Sequence, residues 1–130
     1  MTDNNLINYA NTSINADVQL LDDNNCSGIS LGTITKIELR AYGNYTNGIN
    51  SANIIIRPVF DGIFEGDNYT WSSVGTSKDW SSLFDITEDA EAPSSWTWTN
   101  VTNLDCEIES EGTPSFNLAC YKVEIRVTYL

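Results

Sequence analysis

The chain has 130 residues, with eighteen acidic side chains against six basic ones, a net charge of −12 and no histidine. A surface this acidic repels nucleic-acid phosphates and anionic lipid headgroups, and the lack of histidine rules out Ser–His and Cys–His nucleophile pairs along with the commonest general base. One domain is expected at this length, and no apolar run approaches the roughly 20 residues a membrane-spanning helix needs.

Residues 1–16 alternate asparagine with the single apolar residues Leu6, Ile7, Tyr9 and Ile14, and read as an arm or an edge strand ahead of a domain over 17–130. The first five residues lack the basic and apolar regions of a signal peptide, so either the protein is used without Sec export or a leader precedes this sequence. A short strand over 17–21 is closed by Asp22-Asp23-Asn24-Asn25. Residues 33–42 are a strand with Ile37, Leu39 and Ala41 on one face and Lys36, Glu38 and Arg40 on the other. Residues 44–50 read as a loop. Residues 51–60 are a strand whose run Ile54-Ile55-Ile56 implies burial on both faces or a switch of sheet. Asp61-Gly62 opens a turn, and short strands follow over 69–74 and 80–87. Glu88 to Pro93 is a surface loop, and Ser94-Ser95 would cap a helical turn over 96–101.

The last quarter reads as a long hairpin. Leu104, Cys106 and Ile108 alternate with acidic residues, a turn spans 110–115, and Tyr121, Val123, Ile125, Val127 and Tyr129 share one face to the end of the chain, which should be pinned in the sheet. Phe116, Leu118 and Cys120 fall in the opposite phase, which a β-bulge near Ala119-Cys120 would reconcile. Cys106 and Cys120 are equally far from the turn centre. They are either a cross-strand disulfide or two small buried thiols, with Cys26 left over as buried or inert. The fold class expected is all-β, an antiparallel β-sandwich with at most one short helical turn.

The order of these features resembles a known kind of module. Gly32 to Ala41, the strand ending Ile54-Ile55-Ile56-Arg57-Pro58-Val59, Trp80, Phe84 to Thr87, Pro93 to Val101 with Leu104, and the closing Cys120 to Tyr129 are similar to the small jelly-roll modules of phage structural and tail-associated proteins and of microbial surface or filament proteins. The resemblance covers residues 17–130. It implies a jelly-roll sandwich with a building or binding role and no catalytic residues.

Residue chemistry narrows the role further. Acid pairs for glycoside hydrolysis could be drawn from Asp61, Glu65, Asp67, Asp85, Glu88, Asp89 and Glu91, but all lie in turn-like stretches where carboxylates are ordinarily solvated. Asp23, Asn25 and Ser27 with Gly28 copy the opening of a calcium loop, yet Ile34 stands where a bidentate carboxylate is required. Asp61 and Asp67 bracket a second oxygen-rich loop. Structural calcium competes in both with an Asn/Asp turn closed by its own side chains, and no other cofactor is expected. Among Trp71, Trp80, Trp96, Trp98, Tyr42, Tyr45 and Tyr69, Trp80 and one of Trp96 and Trp98 are expected in the core; Tyr45, in a loop, and Trp98 are the sugar-stacking candidates. Five Asn-x-Ser/Thr sites, at Asn11, Asn25, Asn44, Asn68 and Asn100, fall in expected loops or strand ends and would accept glycans in a glycosylating host.

These readings converge on a non-enzymatic structural subunit of an extracellular filament or a virion. It would form a homo-oligomeric lattice through sheet edges, with Leu6, Ile7 and Tyr9 anchoring an arm laid on a neighbour. The competing expectation is a carbohydrate-binding surface module, with or without calcium.

Overall fold

In a computed structural model the protein is described over residues 10–22, 24–46, 51–112 and 117–130. Two antiparallel sheets face each other. The front sheet contains β1 (Ala10–Thr12), β10 (Asn117–Tyr129), β3 (Ile34–Thr46) and β7 (Asp79–Trp80) in that order, with β8 (Phe84–Asp85) also on β3. The back sheet contains β2 (Val18–Leu21), β9 (Asp105–Gly112), β4 (Ala52–Phe60) and β5 (Phe64–Glu65), with β6 (Tyr69–Trp71) also on β4. One helix, α1 (Trp98–Thr102), links them. The expected all-β sandwich is what forms.

Period-two alternation decides which side chains enter the core. Ile37, Leu39, Ala41, Leu118, Cys120 and Val123 come from the front sheet, and Ala52, Ile54, Ile56, Cys106 and Ile108 from the back. Val101 of α1 and Leu104 just beyond it plug one end. Ile55 lies on the outer face, half-buried, so the three-isoleucine run needs no change of sheet. Pro58 sits inside β4 without breaking it: its carbonyl accepts from Gly66 N–H at 2.8 Å, so its missing N–H points toward β5 rather than into the β9 ladder.

The terminal hairpin is not formed. Strands β9 and β10 belong to opposite sheets, so the chain crosses the sandwich between them instead of folding back on itself. Local sequence signals in-and-out alternation equally well for a hairpin and for an arch; what separates them here is that β10 finds β3 and β1 while β9 finds β4 and β2. The expected turn is corrected accordingly: Ser110 to Gly112 belong to β9, and residues 113–116, with Phe116, lie outside the described residues. Cys106 therefore pairs in register with Pro58 and Leu21, and Cys120 with Gly43 and Ala10, not with each other. Both are free, buried thiols. Burial pushes Cys120 up to about 12 and Cys106 above the ordinary thiol range, the latter raised further by Cys120 across the core.

The expected bulge is present, one residue later. Register shifts between Cys120 and Lys122, which makes Tyr121 the extra residue. Tyr121 turns outward beside Lys122 rather than sharing the inner face of Val123, and Leu118 and Cys120 keep their phase inside. Gly43 opposite the bulge permits this, because a Cβ there would overlap the Ala119 carbonyl. Strand β3 also runs on to Thr46, past the expected loop start, and carries Asn44 and Tyr45 into the ladder. Leu130 exchanges backbone hydrogen bonds of 2.9 Å with Thr33, so the end of the chain is pinned in the sheet as expected.

Candidate functional site

The clustered chemistry of the described residues lies on the outer faces of the two sheets. On the front sheet, the even-numbered residues of β3 from Lys36 to Asn44 point outward and meet the outward residues of β10: Glu38 opposes Arg126, Arg40 opposes Glu124, and Tyr42 opposes Lys122 on one side and Trp80 on the other. Arg40 donates to Glu124 Oε2 from Nε and Nη2 at 2.9 and 2.7 Å, and its guanidinium carbon lies 3.9 Å from the centre of the Trp80 ring. Lys122 Nζ stands 4.9 Å from the same ring, and Lys78 Nζ stands 4.5 Å from that of Tyr121. Tyr42 joins the two aromatics, 5.0 Å from Trp80 and 6.0 Å from Tyr121.

Glu38 is the buried charge of this face, its side chain only 9% exposed. Lys36 Nζ donates to it at 2.7 Å and Arg126 Nε lies 3.6 Å away, so the carboxylate is paired twice, as a charge taken out of water must be. That hydrogen bond holds the Lys36 ammonium above its ordinary range. Hydrogen bonds from Thr87, with Lys36 nearby, keep Asp85 below the usual carboxylate range. Burial works to raise Glu124, but its bonds from Arg40 and Lys122 outweigh that and hold it low.

The back sheet's outer face carries Glu107, Glu109 and Glu111 of β9 opposite Arg57, Ile55 and Asn53 of β4, with Asp105 and Glu65 flanking Val59. Arg57 is the clamp: Nη1 donates to Glu107 at 2.8 Å, Nη2 to Glu109 at 3.1 Å and Nε to Asn68 at 2.7 Å. Val18 and Leu20 of β2 lie beside these acids, 49% and 48% exposed. Five of the six basic residues (Lys36, Arg40, Lys78, Lys122 and Arg126) are thus gathered on the front face and one on the back. The front face sets these five against Glu38, Glu124 and Asp85, a net of +2 in a chain of net −12; the back face sets Arg57 against five carboxylates, a net of −4.

The residues singled out from sequence fall elsewhere. Tyr45 is buried in β3, 9% exposed, and so is corrected from a loop-borne stacking residue to a core one. Trp98 donates from Nε1 to Gly32 at 2.8 Å and packs edge-on against Tyr129, with ring centres 5.3 Å apart. Trp80, expected in the core, is outside on the front face, while Trp96 packs on the core and against Phe60. The helix is capped by Thr97 with Asn100 in a reciprocal capping box rather than by Ser94-Ser95, because Thr97 stands three residues before a side chain that can answer it.

Asp23 lies outside the described residues. Asn25 and Ser27 are exposed, and the organising residue of their loop is Asn24: its Oδ1 accepts from Cys26 N–H at 2.9 Å, and its Nδ2 donates to Val101 and Leu104 carbonyls at 2.8 Å, closing the end of α1. Among the described residues, no three His, Cys, Asp or Glu side chains converge as a metal cluster. Asp61 sits in the β4–β5 turn with φ of 49°, followed by Gly62 at 71°, and Asp67 accepts from Ala90 N–H.

Asp89, expected to be solvated with the other loop acids, is buried. It accepts from Tyr69 Oη at 2.8 Å and from the Asp67 and Glu91 N–H groups, tying two loops together beneath Gly66, where a Cβ would strike the carboxylate. Burial, and then this bond, push the Tyr69 hydroxyl far above its ordinary range. Of the glycan sequons, Asn11 is in β1, Asn44 is inside β3 rather than in a loop, Asn68 holds Arg57, Asn100 closes the helix cap and Asn25 is exposed. Leu6, Ile7 and Tyr9 lie outside the described residues.

The charged faces escape a reading of sequence alone because alternation puts Lys36 and Arg40 of one strand, and Lys122 and Arg126 of another, on polar sides without saying that the two strands are neighbours. The available signal was the concentration of the few cations in those two strands. Comparisons with family models, with curated proteins and with solved structures return no match.

Proposed function

We propose that this protein is a non-enzymatic structural subunit of an extracellular filament or of a phage particle, self-assembling through its sheet edges. The observation that carries the reading is the state of the β2 edge. Strand β2 is Val-Gln-Leu-Leu, with neither charge nor proline, and its outer side is unpaired by any described strand. An edge with half-exposed Val18 and Leu20 and no protecting residue is a template for pairing with another chain. The opposite margin is made of β5, β6, β7 and β8, two or three residues each, too short to template much.

Between the β1 and β2 edges the sandwich opens into a cavity of about 260 Å³ lined by Ala10, Gln19, Ile54, Ile108, Leu118 and Cys120. An extended segment from a neighbour, with Leu6, Ile7 and Tyr9 as its apolar anchors, is the occupant this reading implies. The sheet orders support the jelly-roll part of the proposal: β1 to β4 alternate between the sheets and β9 and β10 do so again, the last strand pairs with the first, and β9 pairs with β2. A carbohydrate-binding role loses its best candidate with the burial of Tyr45.

Electron microscopy with light scattering tests the reading. Filaments or regular particles are expected, and Val18→Lys with Leu20→Lys should leave a folded monomer. Deleting residues 2–9, which spares β1, tests the arm; a wild-type protein that stays monomeric at high concentration would end the assembly reading.

A further inference from the structure

The two outer faces are oppositely charged, and they point in opposite directions. We infer that the front face of one copy docks the back face of the next, the cations and rings of β3 and β10 meeting the acidic, Val18- and Leu20-bearing face of β9, β4 and β2. This rests on the assembly reading and adds a second, face-to-face contact to the edge contact.

Charge decides the pairing. Two copies of net charge −12 repel in almost any orientation. A front face of net +2 against a back face of net −4 brings opposite signs together, whereas back against back sets eight net negative charges face to face. The apolar elements match as well. On the front, Tyr42 and Trp80 lie among cations; on the back, Val18 and Leu20 lie directly opposite Glu109 and Glu107 in register. Most of the cations are not locked away: Lys36 is 44%, Arg40 36% and Arg126 62% exposed in their side chains, and each can reach a second carboxylate.

The geometry follows from the sandwich. The contact joins different faces, so it is heterologous, and because the faces are on opposite sides it does not close into a ring. It builds an open stack along the sheet normal, with a repeat of roughly 20 Å, two sheet spacings of about 10 Å. Ionic strength should act in both directions. Near 0.01 M the long-range repulsion is unscreened, since the Debye length is about 30 Å; near 0.15 M it shrinks to about 8 Å and close pairs survive; near 1 M, at about 3 Å, these weaken too. Face-to-face association is therefore expected to pass through a maximum with salt.

Charge exchange is the test, read by sedimentation and light scattering of the full chain. A front variant, Lys78→Glu with Arg126→Glu, alters exposed residues and takes that face from +2 to −2. A back variant, Glu65→Lys with Glu107→Gln and Glu111→Lys, takes its face from −4 to +1. Each alone should lose at least tenfold in association constant at 0.15 M salt, and the two mixed should recover a complex in which the unaltered front of the back variant docks the unaltered back of the front variant. Circular dichroism matching the wild type establishes that both are folded, and complex recovery on mixing could not arise from unfolded chains. Wild-type-like assembly by the front variant, or no recovery on mixing, overturns the face contact. If assembly then responds only to Val18→Lys and Leu20→Lys, the edge reading stands without it; wild type that is monomeric at every salt concentration removes both.

Discussion

The front and back faces use the same ions in different ways. On the back, a single guanidinium serves Glu107, Glu109 and Asn68 at once, a closed polar clamp surrounded by further acids. On the front, cations outnumber carboxylates, and three of them lie over aromatic rings: Arg40 and Lys122, which share the one carboxylate of Glu124, on Trp80, and Lys78 on Tyr121. The difference teaches that a strongly acidic chain can still present a cationic face, because ring faces add their attraction where several cations share few carboxylates. It also means that the back face depends on one residue, whereas the front face shares its load.

Breaking the clamp should have the largest effect. Arg57→Ala leaves Glu107 and Glu109 side by side with no cation, each less than a quarter exposed, and should destabilise the fold by about 3 kcal/mol in urea denaturation. Arg57→Lys should recover less than half of that, since a point charge cannot make three forked bonds. On the front face, Trp80→Ala removes one ring contact and two cation contacts and should cost about 2 kcal/mol. An equal loss from both substitutions would erase the distinction between a single clamp and a shared network.

Acid titration sharpens the comparison. Glu124 is held below its ordinary value of 4.5 in the folded protein, so its contribution is present above that value and is lost as pH falls through the lowered one. Stability should decline with acidification below about pH 4.5, and Glu124→Gln should flatten that slope; an unchanged slope would show that the Arg40 and Lys122 bonds do not act as the geometry implies. The smallest effect should come from Arg126→Ala, whose side chain is 62% exposed, within about 0.5 kcal/mol of wild type. Its loss should register in association rather than in folding.

Much of the body was legible in the chain. Alternation placed the inner residues of β3 and β9 and those of β10 beyond the bulge, because side-chain period two is a local property of extended backbone, whereas the three-isoleucine run hid it in β4. A phase conflict of apolar residues located the bulge to within two residues, and Asp-Gly marked the β4–β5 turn. What alternation does not carry is the identity of the partner strand. A hairpin and an arch look alike between Cys106 and Cys120, and only the pairing of β10 with β3 separates them, sending the two thiols to opposite sheets.

The same reason governs the sites. Tyr45 and Asn44 look like loop residues beside two glycines until β10 extends the ladder over them. Glu38 and Asp89 look solvated until Lys36 and Arg126 close over the first and Tyr69 over the second. Sequence by itself determined the strands, their inner faces and the total charge, all set by residues near one another in the chain. Tertiary structure alone decided which outer face received the cations, because that depends on β3 and β10, some eighty residues apart at Arg40 and Glu124, lying side by side.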